Sequence, residues 1–245
     1  MRILIISDIH ANLVALETVL ADAGAYDAVW CLGDLVGYGP NPNECVERVR
    51  ALLGLKCLVG NHDKAVLGEI DLYAFNGDAR AALAWTQSVV SPGNLAYLRA
   101  LPEQEQYGDF TLVHGSPRQP VWEYILDRFI AQENFPFLQT SFCLVGHTHM
   151  PVIYRQHGPD GECREESPDY SRPLSLRDGG GRLIINPGSV GQPRDNNPQA
   201  AYALLDPDTS LWEYRRVPYD VMATQSRMRT ASLPERLVAR LEYGW

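Results

Sequence analysis

Five of the six histidines in this 245-residue chain, His10, His62, His114, His147 and His149, stand directly after short apolar runs; only His157 lies elsewhere, in a polar stretch. Asp8, Asp34 and Asn61 occupy the same kind of position. Imidazole nitrogens, carboxylates and an amide oxygen form a donor set suited to Zn, Fe, Mn or Ni rather than to calcium or a structural thiolate zinc site. Cys31, Cys45, Cys57, Cys143 and Cys163 are widely spaced with no C-x-x-C pair, and read as reduced, buried thiols. Asp8 and His10 alone are a weak signal, because a helix cap beside a hydrogen-bonded histidine would look the same. In an extended segment their side chains would point to one side. The whole set, however, exceeds what one tetrahedral ion can use, so two divalent ions are expected.

Such residues must be delivered to one place by the elements before them. Ile3–Ile6, 28–32 and 56–59 are short apolar runs, the first two each followed by a polar loop and a helical pattern, the signature of parallel βαβ units. In such sheets functional groups gather at the carboxyl ends of the strands. Asn12 precedes Leu13, Leu16, Val19 and Leu20 at helical spacing, with Gly24 as the stop. Asn41-Pro42 opens a helix whose apolar stripe is Cys45, Val46, Val49 and Leu53. Residues 79–101 read as a helix broken at Ser91-Pro92, 104–107 and 110–113 as a hairpin, and 142–145 as a strand. A polar hairpin insertion is expected over 157–181, a meander over 183–185, 201–205 and 211–217, and a helical tail from about Tyr219. The layout is an α/β arrangement of two stacked mixed sheets flanked by helices, in a single domain spanning 1–245.

Composition narrows the partners. With 45% hydrophobic residues the chain can bury its core without disulfides or structural metal. Its formal charge is −9 and it has no basic run, which disfavours polymeric nucleic acid, though not a phosphate bound in one locally positive pocket. No apolar stretch reaches the roughly 20 residues that span a bilayer, so no membrane partner is expected. The apolar run after Met1-Arg2 is too short for a signal peptide, and a cytoplasmic protein is expected.

The strings Asp8-Ile9-His10, Gly33-Asp34 with Gly37, Gly60-Asn61-His62-Asp63, Val113-His114-Gly115 and Gly146-His147-Thr148-His149 resemble, in order, the five motifs of the calcineurin-like metallophosphoesterases. Asn186-Pro187-Gly188-Ser189-Val190 and the following Gly191-Gln192-Pro193-Arg194 resemble the small bacterial and archaeal phosphodiesterase branch. The resemblance implies a four-layer αββα sandwich, the metallo-dependent phosphatase fold. It implies that Asp8, His10 and His149 hold one metal, that Asn61, His114 and His147 hold the other, and that Asp34 bridges them. The expected reaction is hydrolysis of phosphate esters, phosphodiesters of small molecules or nucleotides foremost, by in-line attack of metal-activated hydroxide. His62 is expected as general acid, with Asp63 able to orient it, and Asn61, His62 and Arg194 to contact substrate. A phosphomonoesterase acting on dinucleotide polyphosphates, phosphoproteins or metabolites is the alternative within enzymes; a non-catalytic scaffold is the alternative outside them.

Other residues carry simpler readings. Arg194 reads either as a surface partner of Asp195 or as a fork for a phosphate oxygen. Arg118 and Trp122 are weaker candidates for substrate contact. Tyr38 and Asn41 lie in a loop expected to face the pocket, and the 186–190 turn is expected to support the metal-bearing loops. Leu241, Tyr243 and Trp245 suggest a contact surface for a homo-oligomer.

Overall fold

The computed structural model describes residues 1–158 and 161–245 of the chain. Its strands are β1 (Ile3–Ile6), β2 (Ala28–Cys31), β3 (Lys56–Cys57), β4 (Gln104–Tyr107), β5 (Phe110–Val113), β6 (Phe142–Leu144), β7 (Val152–Gln156), β8 (Cys163–Glu166), β9 (Leu174–Ser175), β10 (Arg182–Asn186), β11 (Ala200–Asp206) and β12 (Leu211–Val217). The helices are α1 (Leu13–Asp22), α2 (Pro42–Arg50), α3 (Asn61–Val66), α4 (Gly77–Val89), α5 (Pro92–Arg99), α6 (Arg128–Asn134), α7 (Val221–Thr230) and α8 (Glu235–Tyr243). One sheet has the order β3-β2-β1-β11-β12-β9 and the other β4-β5-β6-β10-β7-β8. β1, β2 and β3 are parallel, as are β5, β6 and β10, while the remaining pairings are antiparallel.

The four layers follow from side-chain alternation. Successive strand residues face opposite sides, so Ile3 and Ile5 enter the core between the sheets while Leu4 and Ile6 face the helices. Trp30, Phe110, Phe142, Leu183, Ile185, Ala203 and Trp212 complete the inner core. Outside the first sheet, Leu16 and Val19 of α1 and Cys45 and Val49 of α2 cover Leu4 and Ile6. Outside the second, Ala131 and Phe135 cover Cys143 and Ile184. α7 and α8 pack with α4 and Tyr38 through Ala79, Ala82, Met228, Leu237 and Leu241. A strand apolar on both faces is what the unbroken Ile3–Ile6 run required.

Local signals set several boundaries. The Asn12 side chain accepts from the Ala15 amide at the start of α1, and the Ser91 side chain caps α5 after the break at Pro92. Among the described residues no helix is long and apolar enough to cross a membrane.

Four expectations need correction. α2 ends at Arg50, leaving Leu53 outside the helix and exposed rather than on its apolar stripe. The meander over 183–217 does not form: β10 inserts between β6 and β7 of the second sheet, while β11 and β12 pair in the first. Alternation alone cannot say which sheet a strand joins, and the 187–199 loop carries the chain across. The 157–181 insertion begins as a β7–β8 hairpin, with residues 159 and 160 outside the described residues, but β9 then pairs with β12 of the other sheet. Leu241 is buried against α7 and α4, so of the three C-terminal apolar residues only Tyr243 and Trp245 are exposed.

The crossing loop also joins the strand ends. Asn186 Nδ2 donates to the Gly146 carbonyl at 2.7 Å and to Thr148 Oγ1 at 3.0 Å, and its Oδ1 accepts from the Gly188 amide at 2.8 Å. Ser189 Oγ donates to the Asp8 carbonyl at 2.8 Å. These bonds match the expected supporting role. Asn186→Ala leaves buried polar groups unsatisfied and is expected to lower stability by about 1–3 kcal/mol, read as a reduced urea midpoint; an unchanged midpoint would show that the loop does not depend on Asn186.

Candidate metal centre

The sequence-predicted residues converge where the two sheets meet. Asp8 lies beyond β1, Asp34 beyond β2, Asn61 beyond β3, His114 beyond β5, and His147 and His149 beyond β6. Asp8, His10, Asp34, Asn61, His114, His147 and His149 are all buried. Asp8 and His10 are not extended: Asp8, His10, Asp34, His147 and His149 have φ of 54°, 48°, 55°, 66° and 62°. Such left-handed backbone is uncommon outside glycine and costs on the order of 1 kcal/mol or more per residue, so the surrounding bonds must hold it. The amides of Asp8 and His10 donate to the carbonyls of Gly33 and Asp34, which ties the first loop to the second.

Two groups of donor atoms result: Asp8, His10, Asp34 and His149, and Asp34, His114 and His147. Asp34 belongs to both. Its Oδ1 accepts the His62 amide at 2.9 Å. Its Oδ2 is buried without a hydrogen-bond partner, flanked by His10 Nε2 at 3.5 Å and His114 Nε2 at 3.4 Å. Asn61 Oδ1 lies 3.2 Å from His114 Nε2. Ser7 Oγ donates to Asp8 Oδ2 at 2.6 Å and the His147 amide to both Asp8 oxygens at 3.1 Å, which fixes that carboxylate.

The imidazole tautomers follow from their partners. His10 Nδ1 faces the Val36 carbonyl at 3.1 Å and His149 Nδ1 the Gln192 carbonyl at 2.6 Å. A carbonyl only accepts, so each Nδ1 carries the proton. Burial pushes both rings well below the ordinary histidine pKa, and a neutral ring has one N–H. His10 Nε2 and His149 Nε2 therefore meet lone pair to lone pair, 3.0 Å apart, with Asp8 Oδ1 only 3.3 Å from the second. That contact is repulsive unless a cation lies among the donors. His147 donates from Nε2 to the Trp122 carbonyl at 3.1 Å, which leaves Nδ1 as its free donor atom. The backbone bonds orient every ring, as in protein metal sites generally.

The charges agree with this reading. Burial works to raise Asp34, but the nearby His114, His62 and His10 outweigh it and hold the carboxylate below its usual range. Burial opposes a charge on His114, yet Asp34 draws its pKa up to about 9. Burial, and then the charge of Asp34, pushes Asp8 up to about 6. The oxygens thus favour positive charge beside them, and three of the imidazoles, His10, His147 and His149, are in the neutral form that binds metal. The donor set fits divalent transition metal ions.

A family model described as the calcineurin-like phosphoesterase superfamily domain matches residues 1–210. The chain belongs to that superfamily. A metallophosphoesterase from Sphaerobacter thermophilus is 50% identical, with a TM-score of 0.91, covering 100% of this chain and 99% of that one. The uncharacterized protein MJ0912 of Methanocaldococcus jannaschii is 38% identical over 99% of this chain and 98% of its own. Phosphodiesterase YfcE of Escherichia coli is 27% identical over 85% of this chain and 89% of its own. This calcineurin-like phosphoesterase is thus a phosphoric ester hydrolase on a four-layer fold, with a buried His/Asp cluster for metal.

The remaining candidates are placed as follows. The His62 ring packs against Tyr38 at 4.3 Å, His10 at 4.8 Å and Phe75 at 5.0 Å between centroids, and its Nδ1 is buried without a partner. Burial lowers its pKa to about 4. Asp63 does not reach that ring: its carboxylate accepts from the Val36 amide at 3.1 Å and the Gly60 amide at 2.9 Å, clamping the second loop to the start of α3. Arg194 does not pair with Asp195, which bonds Arg216 instead; its Nη2 donates to Tyr38 Oη at 3.3 Å and Gln192 Oε1 at 3.0 Å. Arg118 is held by Glu123 and Glu133. Trp122 serves through its carbonyl, and Asn41 Oδ1 accepts from Arg227. His157 is exposed, as its polar surroundings suggested.

Sequence reasoning missed Ser7 and Tyr124. Ser7 could have been found from its place directly before Asp8; Tyr124, stacked 3.6 Å from the His147 ring, sits in a loop with no local signal. Gly60 explains why glycine stands at that position, since a Cβ there would lie 2.0 Å from Asp34 Oδ1. Gly60→Ala is expected to displace Asp34 and lower bound metal per chain, measured by elemental analysis, with the far-UV circular dichroism retained. Wild-type metal content in this variant would show that Asp34 is not held as described.

Proposed function

We propose that this phosphoesterase hydrolyses small-molecule phosphate esters, nucleotide phosphodiesters foremost, using two divalent transition metal ions (Mn, Fe, Zn or Ni). Asp8, His10 and His149 would hold one, Asn61, His114 and His147 the other, and Asp34 would reach both. The single observation that carries this reading is the buried convergence of lone pairs: His10 Nε2 on His149 Nε2, with Asp8 Oδ1 and the partnerless Asp34 Oδ2 beside them. When bound, such ions supply Lewis-acid stabilisation of phosphoryl oxygens and an acidified water near neutral pH.

The chain's own groups do the rest. Asn61 contributes a neutral oxygen, so the centre gains a donor without losing positive charge. The loop bonds hold every donor before substrate arrives, which removes reorganisation from the reaction. His62 stands beside His10 and Asp34 and is assigned the proton donated to the leaving oxygen. Burial keeps its ring neutral, and the negative charge of an entering phosphate ester counters that burial and draws a proton onto it. Asp63 is assigned a positioning role, because it fixes the helix start on which Asn61 and His62 stand. The setting is taken to be the cytoplasm, where the five free, buried cysteines would stay reduced.

The decisive experiment is metal analysis followed by a panel of mono- and diesters with Mn, Fe, Zn, Ni and Mg. Diesters are expected to be the better substrates, and a clear preference for monoesters would replace this reading with the phosphatase one. Asp34→Ala is expected to lose about 10³-fold or more in kcat/KM, since several kcal/mol of transition-state stabilisation goes with it; a retained wild-type rate would sink the assignment. His62→Ala should slow alkyl esters by about 10²-fold or more and nitrophenyl esters far less, because only the poor leaving group needs the proton. Equal losses on both would remove His62 as the acid.

A further inference from the structure

A cavity of about 450 Å³ opens beside the metal centre. Its walls include Arg194, Arg236 and Arg240, the rings of Tyr38, Tyr124 and Trp245, and one carboxylate, Asp78. It adjoins the centre through Tyr38 and Tyr124, which pack on the centre's histidines. Tyr38 packs 4.7 Å from the His10 ring, Tyr124 stacks on His147, and Arg194 lies 5.7 Å from the Tyr38 ring centre.

Arg194 and Arg236 have no ion-pair partner among the described residues. Arg194 bonds only the neutral Tyr38 hydroxyl, the Gln192 amide oxygen and the Tyr124 hydroxyl, and its Nε is buried without a partner. Arg240 donates from Nε to the terminal carboxylate oxygen of Trp245. Among the described residues neither Arg194 nor Arg236 is ion-paired with a carboxylate, whereas Arg118, Arg155, Arg216 and Arg229 all are. Burial, reinforced by the charge of Arg194, lowers Arg240 to about 10. Three guanidiniums against Asp78 and the terminal carboxylate leave the cavity positive in a chain of net charge −9, a place that favours a further anion.

We propose that this cavity is a substrate pocket for a second phosphoryl group joined to an aromatic base, so that the phosphoesterase acts on nucleotides carrying more than one phosphate. The proposal rests on the phosphoesterase reading of the adjoining centre. Arginine forks match phosphate oxygens in pairs, and aromatic faces accept a base by stacking. Arg236, Arg240 and Trp245 belong to α8 and its end, beyond the 1–210 stretch that matches the family model, so this selectivity rests on the C-terminal helices rather than on the matched stretch.

The test is calorimetric titration of the full chain with α,β-methylene adenosine diphosphate, against adenosine and methylenediphosphonate. The wild type should bind the nucleotide at least about tenfold more tightly than either fragment, and Arg236→Ala and Arg240→Ala should each weaken it by about tenfold. Arg236 is exposed on α8, so its variant tests the pocket even if Arg240→Ala fails to fold. Equal affinity in the wild type and Arg236→Ala would overturn the proposal, as would adenosine or methylenediphosphonate binding as tightly as the nucleotide. Wild-type hydrolysis of bis(p-nitrophenyl) phosphate, run beside it, reports on the metal centre alone. Arginine-dependent binding without that hydrolysis would sustain the pocket and sink the hydrolase assignment.

Discussion

Everything in this structure is arranged around a concentration of unshared electron pairs in a buried place. Two neutral imidazoles, His10 and His149, point their free nitrogens at one another, 3.0 Å apart, and Asp34 Oδ2 lies between His10 and His114 without a hydrogen bond. Left to itself this arrangement is repulsive, and a flexible chain would relieve it by rotating the rings. Here rotation is blocked, because His10, His114 and His149 each spend their other nitrogen on a backbone carbonyl of a neighbouring loop. The cost of holding the donors together is met by the fold.

The fold meets it through parallel strand ends. β1, β2 and β3 run in one direction in one sheet, and β5, β6 and β10 in one direction in the other, so six loops leave at the same edge of the sandwich. The loops are then tied to each other by backbone bonds rather than by side chains alone. Asp8 and His10 donate to the second loop, Val190 and Gly191 donate back to Ser7 and Asp8, and Gly146 donates to His114. This mesh is what holds five non-glycine residues in left-handed backbone. It also explains the glycines, which let one loop pass within contact distance of the carboxylates of the next.

The net charge of −9 has a different meaning once the charges are located. Two buried carboxylates of the metal centre, Asp8 and Asp34, belong to a place that favours cations, and the adjoining cavity brings three arginines against Asp78 and the terminal carboxylate. The surface excess of acid opposes long polyanions, while the site itself is built for a compact phosphate.

Much of the centre was legible because its residues are adjacent to signals that are local. Asp8, Asp34, Asn61, His114, His147 and His149 each follow a short apolar run, and the strand and helix patterns around them depend on two- and four-residue periods that neighbours in sequence determine. Sequence alone also showed the helix that follows Asn12, the break at Ser91-Pro92 and the acceptor-rich donor set. It could not show that β10 joins the second sheet, that Asp195 turns to Arg216 and leaves Arg194 free, or that Asp63 clamps a loop rather than the His62 ring. Nor could it bring Arg236 and Arg240 beside Tyr38, which lies about two hundred positions earlier in the chain. The physical reason is the same in each case: which donors a residue has is set by its type, but which acceptor it meets is set by packing between elements remote in sequence, and only the tertiary structure decides that.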